Sequence, residues 1–295
     1  MRVDIDDVLI GRLIEAQFPD WSGLPLRRLP QAGSDNVIYR LGPDLAVRLP
    51  RGEWAAWQAR KEFRWLPGLA PLLPLGIPEP VAVGEPGCGY PWSWSVARWR
   101  DGDPVLAEQF GDSESAARDL AGFLRALWCL PMPEAISPGP HPELRRRTLA
   151  DRDAAVRRSI ATISDEFDSG VLTRVWERAL AAPPWPAEAV WVHGDFHTGN
   201  LLARDGRVTA VLDFGGLGRG DPACDLDVAY TLMTERTRAV FRSELGLDTH
   251  TWDRGRGWSL AGGVNAHAAY ARTEPRVVAQ TRRQIAAVIA EDALV

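Results

Sequence analysis

The chain has 295 residues, 45% of them hydrophobic and 25% charged, enough for one large core or two modest ones and far from the composition of a disordered or fibrous chain. Its 34 basic and 39 acidic side chains leave a net charge of -5 with no lysine- or arginine-rich block, which argues against a nucleic-acid partner and is compatible with a cationic ligand. Cys88, Cys129 and Cys224 are odd in number, widely spaced and without a C-x-x-C pair, so a disulfide framework or a cysteine zinc site is not expected and a reducing cytosol is.

The opening MRVDIDDVLIGRL carries acids where a signal peptide would carry bases, and no window approaches the ~20 apolar residues of a membrane span. A cytoplasmic protein with no membrane contact is expected, and nothing in the sequence points to an obligate protein partner. Asn36–Leu41 and Leu45–Leu49 read as short strands, and Gly42-Pro43-Asp44 between them predicts a hairpin. A helix is predicted from Glu53 to Leu66, stopped by Pro67. A proline-rich connector then leads to strands at Val81–Val83 and Trp92–Trp99.

Beyond Gly102 the pattern becomes helical. Asp112 or Ser113 can cap a helix with Leu120, Phe123, Leu124, Leu127 and Trp128 on one face. Residues 142–182, 224–244 and 257–293 also read as helical, with a compact β segment from Val190 to Phe214. A strand-rich part over residues 1–100, joined by a short hinge to a helical part over 101–295, is a cleft-forming arrangement.

The chemistry concentrates in His193-Gly194-Asp195-Phe196-His197-Thr198-Gly199-Asn200, followed by Leu212-Asp213-Phe214-Gly215. Leu201–Arg204 and Arg207–Leu212 flank Asp205-Gly206, a dipeptide favoured in two-residue hairpin turns. Pairing about that turn sets Ala203 opposite Val208 and Asn200 opposite Val211. Asp213 is then delivered beside Asn200, with Asp195 on the loop just before. Phosphoryl transfer needs such a set: one carboxylate to orient the attacking hydroxyl, and oxygen ligands to hold Mg²⁺ on the phosphates. Asp195 suits the first role, Asn200 and Asp213 the second.

HGDFHTGN with LDFGG resembles the catalytic loop and DFG segment of the protein-kinase-like fold. Together with Gly220-Asp221-Pro222-Ala223-Cys224-Asp225-Leu226, it is similar to the aminoglycoside phosphotransferase family. The resemblance runs over nearly the whole chain. It implies an α+β bilobal protein-kinase-like fold, with a small β-rich N-lobe and a larger, mainly helical C-lobe. It also implies transfer of the γ-phosphate of ATP or GTP to a hydroxyl of a small molecule, an aminoglycoside or other antibiotic, with Mg²⁺ as cofactor. Arg48 matches the lysine that contacts the α/β-phosphates, and Glu62 its ion-pair partner. Trp92–Trp99 corresponds to the strand entering the hinge, so backbone groups near Arg98, Trp99 and Arg100 would meet the purine. His193 would hold the loop through its ring, and Asp225 would accept hydrogen bonds from it.

Two features depart from the pattern. Arg48 stands where lysine is usual, keeping the charge but changing the geometry. Gln31-Ala32-Gly33-Ser34-Asp35-Asn36 holds one glycine where protein kinases have three, which leaves Ser34 and nearby amides to cap phosphates.

Blander readings stand beside these. His193 and His197 could be metal ligands of a hydrolase, but Gly194 and Gly199 indicate a loop rather than a helix. His197 has no assigned role. Asp221 reads as a cap for a helix starting at Pro222. Trp99 and Trp258 could line ligand sites or simply fill core. Asp227, Glu235, Asp248 and Asp253 could attract a polycation or be solvated surface. A metabolic kinase of the choline, homoserine or sugar type and a nucleotide-binding pseudokinase are the alternative functions.

Overall fold

The computed structural model describes residues 4–29, 35–131, 148–271 and 273–292. Ser34, and with it the cap expected on the phosphates, lies outside the described residues, as does part of the helix expected from residue 142. No helix among them is long and apolar enough to cross a membrane. The chain forms two compact units: Met1–Gly102 with Ala210–Gly215, and Asp103–Thr209 with Gly216–Val295.

The first unit opens with α1 (Asp7–Gln17), which the sequence reading did not anticipate. Asp6 caps it, its carboxylate accepting the Leu9 amide at 2.8 Å, and Ile10, Leu13 and Ile14 make its buried face. An antiparallel sheet follows in the order β1 (Leu26–Arg28), β2 (Asn36–Leu41), β3 (Leu45–Pro50), β5 (Trp94–Arg98), β4 (Pro80–Gly84). The expected hairpin is present, with Leu41 opposite Leu45 and Asn36 opposite Pro50. Val37, Tyr39, Val47, Leu49, Trp94 and Val96 from the sheet close a core with α1. The alternation that buries Val47 and Leu49 turns Arg48 to the opposite face.

α2 differs from its expected bounds. A 3-10 turn occupies Glu53–Ala55, and the α-helix runs from Gln58 to Leu69 with Pro67 inside it. Pro67 does not stop the helix because it sits in the last turn on the solvent side. The carbonyl it leaves without an N–H partner, that of the exposed Phe63, can bond to water instead.

Segment 210–215 joins this first unit because the Val211 amide donates to the Gly76 carbonyl at 2.9 Å, beside a parallel bridge between Gly76 and Ala210. Asp213 is therefore a member of the strand-rich unit, although it comes late in the chain.

The second unit begins with β6 (Asp103–Pro104), α3 (Ala107–Phe110) and α4 (Glu114–Cys129). Ser113 caps α4 by accepting the Ala116 amide, and Leu120, Phe123, Leu124 and Leu127 are buried as the periodicity required. Next come α5 (Asp153–Thr162), α6 (Ser169–Ala181), β7 (Val190–Val192), β8 (Leu201–Arg204) and β9 (Arg207–Val211). β10 (Gly218–Gly220), α7 (Val228–Thr231), α8 (Glu235–Leu245), α9 (Thr249–Tyr270) and α10 (Pro275–Asp292) complete it. β10 pairs with β7, and β6, β8 and β9 form a small sheet. At the β8–β9 turn, Asp205 (φ 53°) and Gly206 (φ 75°) are both left-handed, as a tight two-residue hairpin demands.

The end of α10 closes a buried ionic network. Glu291 accepts the Trp252 indole N–H at 2.6 Å and pairs with Arg238 at 3.1 Å, while Asp292 takes Arg178 at 2.9 Å. The Arg238 side chain is 8% exposed, so loss of its partner strands a charge. Glu291→Ala is expected to lower unfolding free energy by about 3 kcal/mol in urea titration. Glu291→Gln, which retains the indole contact, should lose less. Equal midpoints for wild type and Glu291→Ala would show that the network carries no stability.

Candidate active site

On the first unit, Arg48 comes from the middle of β3, opposite Ile38 on one side and Ser95 on the other. Glu62 comes from α2. The guanidinium of Arg48 donates to Glu62 Oε2 at 2.6 Å and to Asp213 Oδ1 at 3.4 Å. The side chains of Arg48 and Glu62 are 11% and 4% exposed. The structure thus brings together Arg48, Glu62 and Asp213, the first two of which the sequence paired by order alone.

Burial disfavours the charge on Arg48, but Glu62 and Asp213 outweigh it and hold the guanidinium above its ordinary pKa. Burial pushes the Glu62 carboxyl up, with Arg48 pulling it back. Asp213 has φ 59°, a left-handed backbone that a non-glycine residue adopts at a cost. Its Oδ1 accepts both Arg48 and the Gly215 amide, which leaves Oδ2 for another cation.

At the end of β5 the expectation for the purine narrows. The amide of Arg98 donates to the Glu79 carbonyl at 2.8 Å and that of Trp99 to the Asp44 carbonyl at 2.7 Å. These two N–H groups are committed within the unit itself. The Trp99 indole donates to Asp101 and its ring lies 4.5 Å under the Arg40 guanidinium. The Arg100 side chain bonds to the Ile77 carbonyl and to Glu79.

On the second unit, the loop from His193 to Asn200 hangs between β7 and β8. Its anchor is Asp225, fully buried, which accepts the amides of His193 at 2.9 Å and Gly194 at 2.7 Å, plus the Trp128 indole N–H at 3.3 Å. Burial pushes the Asp225 carboxyl up, while His193 and these donors pull it back. His193 is fully buried, and its Nδ1 accepts the Asp195 amide at 3.2 Å, so the ring faces its own loop rather than a metal. Among the described residues no group of three or more His, Cys, Asp or Glu is placed to hold a metal ion.

The Asp195 side chain is 56% exposed. Asn200 Nδ2 donates to its carboxylate at 3.0 Å and to its carbonyl at 2.9 Å, which turns the amide oxygen of Asn200 away from the carboxylate. His197, without a role in the sequence reading, accepts the Gly199 amide through Nδ1 at 3.0 Å, so Nε2 carries the proton and points at Asp195 Oδ2 from 3.5 Å. Crowding by protein atoms raises the Asp195 pKa, but His197, His193 and Asn200 outweigh that and hold it at about 2. This carboxylate stays ionised at any working pH.

Among the other acids, Asp221 accepts the Ala223 amide and pairs with Arg254 at 2.6 Å, as a cap should. Asp248 caps α9, and Asp253 pairs with Arg256. Trp258 lies under the Arg152 guanidinium at 4.7 Å. Asp227 is different. Ser259 and Gln284 hold its Oδ1 at 2.7 and 2.8 Å, and burial pushes its pKa up to about 6 against the pull of His197, with Asp195 raising it further.

Residues 26–258 match the model of the phosphotransferase enzyme family. The chain belongs to the phosphotransferase enzyme family. Over 210 residues, 68% of this chain and 74% of the other, it is 28% identical to an aminoglycoside 3'-phosphotransferase of Escherichia coli. The GDP complex of an aminoglycoside 2'-phosphotransferase superposes with TM-score 0.73 at 19% identity, over 98% of this chain and all of that one. A macrolide 2'-phosphotransferase from Brachybacterium faecium gives TM-score 0.58 at 25% identity, over 96% and 98% of the two chains. The α+β kinase-like fold and the enzyme class expected from the sequence are those of its relatives.

Sequence reasoning did not assign Trp128 or His197. Trp128 was legible as the end of an apolar helix face but not as a donor to Asp225. His197, two residues after Asp195, could have been flagged by proximity alone.

Asp227 generates a pH prediction. Its folded pKa of about 6 lies above the ordinary 3.8, so its contribution is present below pH ~4 and is lost as pH rises through 6. Relative to Asp227→Asn, the wild type should lose stability between pH 4 and 7, by at most about 3 kcal/mol. Parallel stability–pH curves for the two proteins would refute the shift.

Proposed function

We propose that this phosphotransferase moves the γ-phosphate of ATP or GTP to a hydroxyl of an aminoglycoside or other antibiotic. Arg48, braced by Glu62, grips the nucleotide phosphates with two donors, and Asp195 orients the acceptor hydroxyl. The observation that carries the reading is the state of Asp195: ionised, more than half exposed, and aimed by Asn200 on a loop that Asp225 pins from beneath. A pKa of about 2 makes it a weak base in the ground state. That fits a loose transfer in which orientation precedes proton transfer and positioning supplies most of the rate.

Each unit offers a donor suited to Mg²⁺, Asp213 on the first and Asn200 on the second. The amide oxygen of Asn200 and Oδ2 of Asp213 are hard oxygen ligands of the kind it prefers, and no hydrogen bond among the described residues occupies them. When bound, it supplies charge neutralisation on the phosphates. The acceptor reading is supported by the aminoglycoside and macrolide relatives and by Asp227, whose Oδ2 remains for an ammonium group of the acceptor.

Nucleoside diphosphate release tests this, with ATP or GTP and Mg²⁺ against aminoglycosides, macrolides and small metabolic alcohols. Stimulation by an antibiotic is expected. Asp195→Asn should reduce it about a thousandfold while nucleotide affinity stays within about threefold. Stimulation by a metabolic alcohol alone would move the acceptor out of the antibiotic class, and near-normal turnover by Asp195→Asn would overturn the assignment.

A further inference from the structure

Lys61 is the one lysine among the 34 basic residues of this chain. It is 4% exposed, on α2 immediately before Glu62. Its Nζ donates to the Gly215 carbonyl at 2.6 Å and lies 4.2 Å over the Trp57 ring. Burying an ammonium is costly unless a specific contact offsets the lost hydration, and this contact is to the main chain two residues beyond Asp213. Gln58, one turn earlier on the same helix face, packs on Gly215 so closely that a Cβ there would lie 2.6 Å from Gln58 Nε2. Glu62 reaches the same segment through Arg48 and Asp213 Oδ1.

Positions 58 and 61 thus hold Gly215, and position 62, through Arg48, holds the side chain of Asp213, a residue whose backbone, at φ 59°, does not hold its conformation unaided. We propose that Lys61 is a positioning residue, a clamp from α2 that holds the Asp213–Gly215 segment so that the Asp213 carboxylate is preset for the cation. The need for lysine follows from the site. A compact ammonium reaches one carbonyl from over an indole face, whereas the guanidinium used at every other basic position is broader and planar. The inference uses the metal-ligand role of Asp213 from the proposed function, but the clamp itself is testable without it.

Lys61→Met keeps the aliphatic stem and removes the donor. Hydrogen exchange on the unliganded protein should show at least tenfold faster exchange confined to peptides covering 212–216, with the unfolding midpoint little moved. The Mg²⁺ concentration for half-maximal nucleotide binding should rise at least tenfold, and Lys61→Arg should not restore it. Unchanged exchange at 212–216 would overturn the clamp whatever the chain phosphorylates. Faster exchange throughout the unit with an unchanged Mg²⁺ requirement would also overturn it, leaving Lys61 a packing residue. Faster local exchange in a wild-type background that binds nucleotide without Mg²⁺ would keep the clamp and fault the metal assignment instead.

Discussion

The first unit depends on one buried ion pair. Arg48 and Glu62 lie 2.6 Å apart with almost no access to water, and each would be intolerable there without the other. The pair joins the middle of the sheet to α2, and the second guanidinium nitrogen extends it to Asp213. Placement of the helix and presentation of the aspartate are therefore one electrostatic arrangement, to which the proposed function adds the grip on the phosphates. One Glu62 oxygen, Oε1, is buried with no hydrogen-bond partner among the described residues. That is the unfavourable side of holding a carboxylate here for its charge.

The second unit solves a related problem differently. Its loop must present Asp195 to solvent, where Asn200 and His197, both of the same loop, reach its carboxylate. The rigidity comes from below, through Asp225, which takes two consecutive loop amides and an indole N–H in a fully buried position. Gly194, at φ 78°, gives the turn that points those amides inward. An exposed carboxylate on a loop tied down by a buried one combines access with preorganisation, as the role proposed for Asp195 requires.

Much of this was legible in the sequence because it is local. The β2–β3 hairpin followed from Gly42-Pro43-Asp44 between apolar runs. The β8–β9 hairpin followed from Asp205-Gly206, and the face of α4 from its periodicity. The catalytic loop was legible because Asp195, Asn200 and Asp213 recur at a spacing that phosphate chemistry explains. What remained hidden is non-local. Membership of 210–215 in the strand-rich unit depends on a bridge to Gly76, far away in sequence. Pro67 was misread as a stop because its effect depends on which face of α2 meets water. Backbone groups near Arg98, Trp99 and Arg100 were expected for a purine, and the pairing of the Arg98 and Trp99 amides with Glu79 and Asp44 cannot be read from a strand alone. Lys61 stands next to a residue the sequence did single out, yet its contact is with a carbonyl more than a hundred and fifty positions later.

The account stands on the Arg48–Glu62 pair as the element that organises phosphate binding. Calorimetric titration of Mg²⁺–ATP into wild type and Glu62→Gln tests it most directly, because the substitution preserves shape and removes the charge. At least a tenfold weaker affinity is expected in a variant that still unfolds cooperatively, since Arg48, left with Asp213 as its charged partner, is drawn toward that carboxylate and away from the phosphates. Equal affinity in the two proteins would contradict it, and would place the phosphate-binding charge elsewhere in the chain.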